Sequence, residues 1–382
     1  LPGLRSSGVR GEIMDELITA ASQFAPRENI AGVREFGSGN INGTFLVTLN
    51  SGLESVDEER FVLQRINTRV FHQPEVLMAN LRTTTEHVQS RINGTSSGEG
   101  RRWEVPHVIP ASEGGDCWRA PDGAVWRALS FIGKAVSFDT INDEAQAAEV
   151  GFALGMFQRL VSDLPLENLA TTQEGFHDTP RYLRFFDRAL AAAASGVSSE
   201  MDFCSKFVNA RRSWASILED ARTGGKLRTR PIHGDPKVNN VMMDANTGKA
   251  VGMVDLDTVM PGLVHYDIGD CLRSGCNPLG EEVGDWESVR FEADMCRAVL
   301  SGYFPVAGNF LDGNDYEYFF DAIRLISFEL GVRFLTDYLE GDVYFKVKAR
   351  NQNLKRALVQ FRLTASIEAQ EPAIRAVLEE LN

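Results

Sequence analysis

The chain has 382 residues, 43% of them hydrophobic, and a formal net charge of −14. That length exceeds the roughly 100–200 residues usual for one domain, which predicts two lobes with ample core. The acidic balance argues against a nucleic-acid or anionic-membrane partner, and no apolar run reaches the roughly 18 residues of a membrane span. No charged-apolar-small signal segment opens the sequence. The five cysteines (Cys117, Cys204, Cys271, Cys276 and Cys296) are odd in number and irregularly spaced, so reduced thiols and a cytoplasmic location are expected. His265 with Cys271 and Cys276 fits no zinc spacing.

The first residues, Leu-Pro-Gly-Leu-Arg-Ser-Ser-Gly, read as a flexible leader or a cloning remnant. Residues 12–24 then place Ile13, Leu17, Ala21 and Phe24 on one helical face, a packing helix. Ile30–Phe36 and Phe45–Leu49 read as strands on either side of Gly37-Ser-Gly-Asn-Ile-Asn-Gly-Thr44. A glycine-rich turn between two strands can lay its backbone amides over phosphate oxygens, because no Cβ blocks the approach. Ser38, Gly39, Asn40, Asn42 and Thr44 are the candidates for that role. In isolation the same spacing describes an ordinary hairpin turn. The P-loop pattern G-x-x-x-x-G-K-[ST] is absent.

Phe61–Ile66 predicts a third strand, and Pro74–Ile92 a helix with Leu77, Leu81, Val88 and Ile92 along its apolar stripe. Val105–Pro110 and Ala124–Ile132 complete an expected five-stranded antiparallel sheet. Its last strand runs out through Ser130, Phe131 and Ile132, where backbone groups would hold a nucleotide base. Phe131 reads equally well as ordinary core. From Asn142 onward the pattern turns helical. Val150, Leu154, Phe157 and Val161 form one stripe, and further helices are expected over 180–194 and 200–222.

The chemistry concentrates in residues 232–257. His233, Asp235, Lys237 and Asn240 stand at H-x-D-x-K-x-x-N, the spacing of the protein-kinase catalytic loop. Two short apolar runs, Val241–Met243 and Ala250–Val254, flank the polar turn Asp244-Ala-Asn-Thr-Gly248 and predict a hairpin. Asn240 lies at its entry and Asp255 at its exit. Phosphoryl transfer needs a carboxylate to take the hydroxyl proton, a cation on the moving group, and oxygen ligands for magnesium. Asp235 suits the first role, Lys237 the second, and Asn240 with Asp255 the third. Asp257 is a further candidate for metal or substrate, although strand-end acids often only cap turns. Beyond the hairpin, Tyr266–Asp270 opens a helix. Long helices follow on Phe319, Ile323, Ile326, Leu330 and Phe334, and on Leu354, Leu358, Phe361 and Ala365.

HGDPKVNN, MVDLDTVMPG and YDIGDCLRS together resemble the aminoglycoside phosphotransferase and choline kinase superfamily, from about Phe36 to Phe361. Within it the chain looks most like the bacterial N-acetylhexosamine 1-kinases. The protein-kinase signatures H-R-D, D-F-G and A-P-E are missing, which points to a small-molecule kinase. The resemblance implies an α+β, protein-kinase-like two-lobe fold. Residues 1–132 would form an antiparallel β lobe with one main helix, and 133–382 a mostly helical lobe with the catalytic loop and acceptor site. It implies ATP and Mg²⁺ as cofactors and an amino sugar as substrate. Arg65 would take the place of the third-strand lysine, as in the choline-kinase form, whereas Glu86, the one mid-helix acid available to pair with it, points off the apolar stripe. Asp267 matches the acid that braces the catalytic loop. Arg333 and Tyr344, in GVRFLTDYLEGDVYF, fall on acceptor-binding positions. Another small alcohol (an aminoglycoside, choline or homoserine) and a nucleotide-binding pseudokinase are the competing readings.

Overall fold

The computed structural model describes residues 7–37, 41–50, 59–94, 101–193 and 198–381. It divides into two compact units, Leu1–Glu86 with Val105–Gly133, and His87–Glu104 with Lys134–Asn382. Residues 87–104 join the second unit through His87 and Arg91 on Asp163, Arg101 on Glu149, and the Glu104 amide on the Val251 carbonyl (2.7 Å).

The first unit holds α1 (Ser7–Ala21), β1 (Ile30–Glu35), β2 (Gly43–Leu49), β3 (Arg60–Ile66), α2 (Pro74–Gly94) as far as Glu86, β4 (Val108–Ile109), β5 (Trp118–Arg119) and β6 (Val125–Ser130). The sheet order is β1-β2-β3-β6-β4, with β5 also on β6, and every pairing is antiparallel. Six strands replace the expected five, because β5 is only two residues long and carries no readable period. The strand expected over Val105–Pro110 shrinks to two residues. Pro106 and Pro110 bracket it, and neither has an N–H to give to a ladder. Alternation sends Val33, Val47, Phe61, Leu63, Trp126 and Ala128 to one face, where they meet Leu17, Ala20, Ala21 and Phe24. Ile13, expected on that stripe, is 37% exposed, so the packed face of the helix begins one turn later.

The second unit is mostly helical. It contains β7 (Ala135–Val136), α3 (Glu144–Val161), α4 (Thr179–Ala192), α5 (Ser199–Asn209), α6 (Ile217–Thr223), β8 (Arg230–Ile232), β9 (Val241–Asp244), β10 (Ala250–Met253) and β11 (Met260–Gly262). Then come α7 (Val264–Gly275), α8 (Ala293–Ala307), α9 (Gly313–Glu317), α10 (Phe319–Glu340), α11 (Gln352–Ala369) and α12 (Glu371–Leu381). The helix expected over 200–222 is broken by a 3₁₀ turn at Arg212–Trp214, after the polar run Asn209-Ala-Arg-Arg-Ser. Val150, Leu154, Phe157 and Val161 are buried along α3, as their spacing requires. Phe328 of α10 packs on Phe361 of α11 with ring centroids 6.2 Å apart. Among the described residues no helix is long and apolar enough to cross a membrane, and the five cysteines are unpaired.

Helices α3 and α8 approach through two glycines. A Cβ on Gly151 would stand 1.8 Å from the Val299 carbonyl oxygen, and one on Gly302 would stand 1.9 Å from that of Ala148. Both contacts are with backbone, which cannot swing aside as a side chain can. Gly302→Ala should therefore destabilise the protein by about 1–3 kcal/mol or more. Denaturant unfolding measures this, with Ser301→Ala on the same helix as the control. An unchanged midpoint for Gly302→Ala would contradict so close an approach.

Candidate active site

The catalytic loop is fixed at both ends by two short strands. β8 enters it and β11 leaves the following segment, and the two pair antiparallel with Ile232 opposite Met260. Between them the β9–β10 hairpin closes, and the Val254 amide donates to the Asn240 carbonyl (2.9 Å). The predicted entry and exit residues, Asn240 and Asp255, therefore lie at the same end of the hairpin. Asp255 has φ +63°, a left-handed conformation that aspartate tolerates better than most residues. Gly234 has φ +84°, and a Cβ there would meet the Thr258 carbonyl oxygen at 2.7 Å, so glycine is required.

The loop backbone is held by a buried carboxylate. Asp267, in the first turn of α7, accepts the amides of His233 (Oδ2, 2.9 Å) and Gly234 (Oδ1, 2.8 Å). Gln158 donates to Asp267 Oδ2 (2.9 Å) and accepts from the Tyr303 hydroxyl (2.7 Å). Burial pushes the Asp267 carboxyl above its ordinary value, against the hydrogen bonds from Gln158 and the two amides. Thr258 Oγ1 donates to the His233 carbonyl (2.8 Å). The His233 ring donates from Nε2 to the Val254 carbonyl (3.1 Å), and its Nδ1 accepts the Asp235 amide (3.3 Å). Burial lowers its proton affinity, which fits this neutral tautomer.

The two catalytic candidates touch. Lys237 Nζ lies 2.8 Å from Asp235 Oδ2. Burial works against the Asp235 charge, but Lys237, through its charge and its hydrogen bond, and then Arg273 hold its carboxyl below the usual range. Lys237 is in turn held above its ordinary value: burial opposes its charge, and Asp235 and Asp255 outweigh that. Behind them Arg273 donates to Asp270 Oδ1 (2.8 Å) and to Glu281. Asn240 Nδ2 donates to the Asp235 carbonyl (2.7 Å), which commits its nitrogen and leaves Oδ1 as the atom that could face a cation. One amide oxygen and the Asp255 carboxylate suit Mg²⁺, which usually takes one or two protein carboxylates besides phosphates and water. No cluster of three His, Cys, Asp or Glu side chains able to hold a metal occurs among the described residues. Asp257 is buried beside this turn.

In the first unit, Ser38, Gly39 and Asn40 lie outside the described residues. Asn42 Oδ1 accepts the Asn67 amide (2.9 Å), and Thr44 Oγ1 accepts Gln64 Nε2 (3.1 Å). Phe131 packs edge-on against Phe36 (5.9 Å), and Ile132 is buried. Arg65 is on the same face of β3 as Phe61 and Leu63, the face that packs on α1. It lies over Trp126 (5.9 Å), 3.5 Å from Asp122 and 3.9 Å from Glu16. On the opposite face Gln64 accepts from buried Arg127 Nε (2.9 Å), and Arg127 Nη1 reaches Met78 of α2 (3.9 Å). Glu86 pairs with Arg82 (3.0 Å).

The acceptor candidates stand together in the second unit. The guanidinium of Arg333 is ringed by Phe176 and Tyr182 (5.1 Å each), Phe345 (5.6 Å) and Tyr344 (5.9 Å). It makes no hydrogen bond among the described residues, and Asp235 is among the charges acting on it. The Tyr344 segment is pinned by Asp337, whose carboxylate accepts the amides of Val343 (2.9 Å), Tyr344 (2.7 Å) and Phe345 (3.0 Å).

Residues 32–298 match the phosphotransferase enzyme family. The chain belongs to that family. Its fold is also that of solved kinases at low sequence identity. It is similar to a microcompartment-associated aminopropanol kinase (15% identity, 94% of this chain and 98% of the other, TM-score 0.62). It is similar as well to choline kinase from Cryptosporidium parvum (12%, 97% and 97%, TM-score 0.59) and to an aminoglycoside 2′-phosphotransferase-IIIa solved with GDP (13%, 94% and 99%, TM-score 0.55). The protein-kinase-like architecture, antiparallel sheet first and helices after, is shared with them.

The phosphotransferase also contains site neighbours that sequence reasoning missed. Phe176 and Tyr182 complete the ring around Arg333, and His177 with Glu329 lies under the loop. Glu329, an acid inside the apolar run Leu325–Phe334, was the one visible signal. Asp267→Asn would turn an NH₂ toward one of the two loop amides. It should lower kcat about 10- to 100-fold, the cost of one buried amide left unmet, while nucleotide affinity changes far less. Steady-state ADP release with a parallel nucleotide titration measures both, and an unchanged kcat would contradict the brace.

Proposed function

We propose that this phosphotransferase is an ATP-dependent, magnesium-requiring kinase that phosphorylates the anomeric hydroxyl of an N-acetylhexosamine. The observation that carries the acceptor side is Arg333. A guanidinium enclosed by four aromatic rings, with its N–H donors unspent among the described residues, suits an uncharged, oxygen-rich ring that stacks and accepts hydrogen bonds. A choline, aminoalcohol or aminoglycoside acceptor would bring a second positive charge against it. The resemblance of GVRFLTDYLEGDVYF to the N-acetylhexosamine 1-kinases supports the same choice.

The chemistry follows from the loop. Asp235 accepts the acceptor's hydroxyl proton as the oxygen closes on the γ-phosphorus and the bond to the leaving ADP breaks. A hemiacetal hydroxyl is more acidic than an ordinary alcohol, so a carboxylate held low by Lys237 still serves as base. Lys237, 2.8 Å from Asp235, would turn to the transferred phosphoryl group. Magnesium, held by Asn240 and Asp255, would neutralise phosphate charge. Asn42, Thr44, the backbone at Phe131 and Ile132, and residues Ser38, Gly39 and Asn40 would hold the nucleotide. For the cation of this half, Gln64-bound Arg127 is a second candidate beside Arg65, because the two stand on opposite sheet faces.

Phosphorus NMR of a reaction with ATP and N-acetylglucosamine or N-acetylgalactosamine should show a sugar 1-phosphate coupled to the anomeric proton. Arg333→Ala should lower kcat/KM for the sugar about 10- to 100-fold, the loss of hydrogen bonds from a charged donor, with ATP affinity nearly unchanged. A 6-phosphate, or turnover of neither sugar, would promote a kinase of another small alcohol.

A further inference from the structure

Beside the catalytic loop, the turn before α4 places His177 in the left-handed region (φ +63°) and buries it, 4% exposed. Both ring nitrogens face acceptors. Nε2 lies 3.0 Å from the Gly234 carbonyl oxygen, and Nδ1 lies 2.9 Å from Glu329 Oε1. Glu329 Oε2 is already taken by the Thr179 hydroxyl (2.6 Å). The ring lies between Phe176 (4.1 Å) and Tyr266 (4.9 Å, stacked). Gly234 is thus gripped twice, at its amide by Asp267 and at its carbonyl by His177. Glu329 stands one helical turn before Arg333 on α10, and Phe176 is one of the rings around Arg333.

We propose that His177 is a positioning residue for phosphoryl transfer: as a doubly donating imidazolium it ties the Gly234 carbonyl to Glu329, fixing the catalytic loop to the helix that carries the acceptor arginine. The inference rests on Asp235 as base and Arg333 as acceptor residue. A carbonyl can only accept, so Nε2 must carry a proton. With Glu329 ionised, Nδ1 must carry one too. A neutral ring would set a lone pair against a carboxylate and release one of the two ties.

The groups that face the ring are Glu329 and Arg333 from α10, Tyr266 and Asp270 from α7, and Thr179 and Tyr182 from α4. Burial opposes the charge, but the Glu329 carboxylate, its hydrogen bond and the Gly234 carbonyl outweigh it and hold the imidazole above its ordinary value, against Arg333. The tie is therefore complete below that raised value and is lost as pH rises through it.

The test uses the full chain and two readouts. In a ring-nitrogen NMR titration, the signal missing from His177→Gln should show both nitrogens protonated at neutral pH. It should titrate on the alkaline side of an ordinary histidine and move to lower pH in Glu329→Gln. ADP release from Mg-ATP, with N-acetylglucosamine or N-acetylgalactosamine and with water alone, should show an alkaline loss of kcat at that same pH. His177→Gln should abolish this limb and lower kcat by about tenfold or more, the loss of a hydrogen bond from a charged donor, with KM for ATP nearly unchanged. If His177→Gln fails to fold, Glu329→Gln carries the test through its shifted limb. A singly protonated ring at neutral pH, or an unaltered pH profile in the variants, overturns the proposal. If neither sugar reacts while the NMR and water-only results hold, the acceptor reading fails and the role of His177 stands.

Discussion

The site depends on one carboxylate that accepts two consecutive backbone amides. His233 and Gly234 sit where Gly234 takes a left-handed φ, so their N–H groups cannot join a ladder and would be orphaned without Asp267. A buried amide with no partner costs about 1–3 kcal/mol, which makes the brace a condition of the loop conformation and not an ornament on it. Tyr303 on α8, Gln158 on α3 and Asp267 on α7 form one chain of hydrogen bonds ending at the loop. The glycine-mediated approach of α3 and α8 sets the distance over which that chain can close.

From this fixed point the chemistry is local. The loop and the hairpin that follows it carry Asp235, Lys237, Asn240 and Asp255, and the Val254–Asn240 hydrogen bond holds the last two at one end of the hairpin. Charge is balanced in layers: Lys237 on Asp235, then Arg273 between Asp270 and Glu281 behind them. A buried ion pair is weak evidence for stability, since desolvation offsets much of its attraction. What the pair does here is hold the Asp235 carboxyl below its ordinary range against the effect of burial.

The hairpin was legible in the sequence because two short apolar runs flank a polar turn, and Asp267 through the resemblance of YDIGDCLRS to the family. Long stripes such as Val150, Leu154, Phe157 and Val161 were legible for the ordinary reason of helical period. The face of β3 that carries Arg65 was not, since both faces of that strand are apolar at Val62 and Leu63 and the pattern names no core side. The two-residue strand at Trp118 has no period to read. His177 and Glu329 are 152 residues apart in the chain and meet only through tertiary packing. The ring around Arg333 is likewise assembled from the segment before α4, from α4 itself and from the loop after α10.

The central claim is that the base, in the loop, and the metal ligands, at the entry and exit of the hairpin that follows it, are separate groups. Titration of Asp235→Asn and Asp255→Ala with a non-hydrolysable ATP analogue, with and without magnesium, tests it most directly. Asp235→Asn should bind the magnesium-nucleotide nearly as the parent protein does while releasing no product from ATP. Asp255→Ala should lose the magnesium-dependent part of binding. Equal loss of nucleotide binding in the two variants would contradict the account.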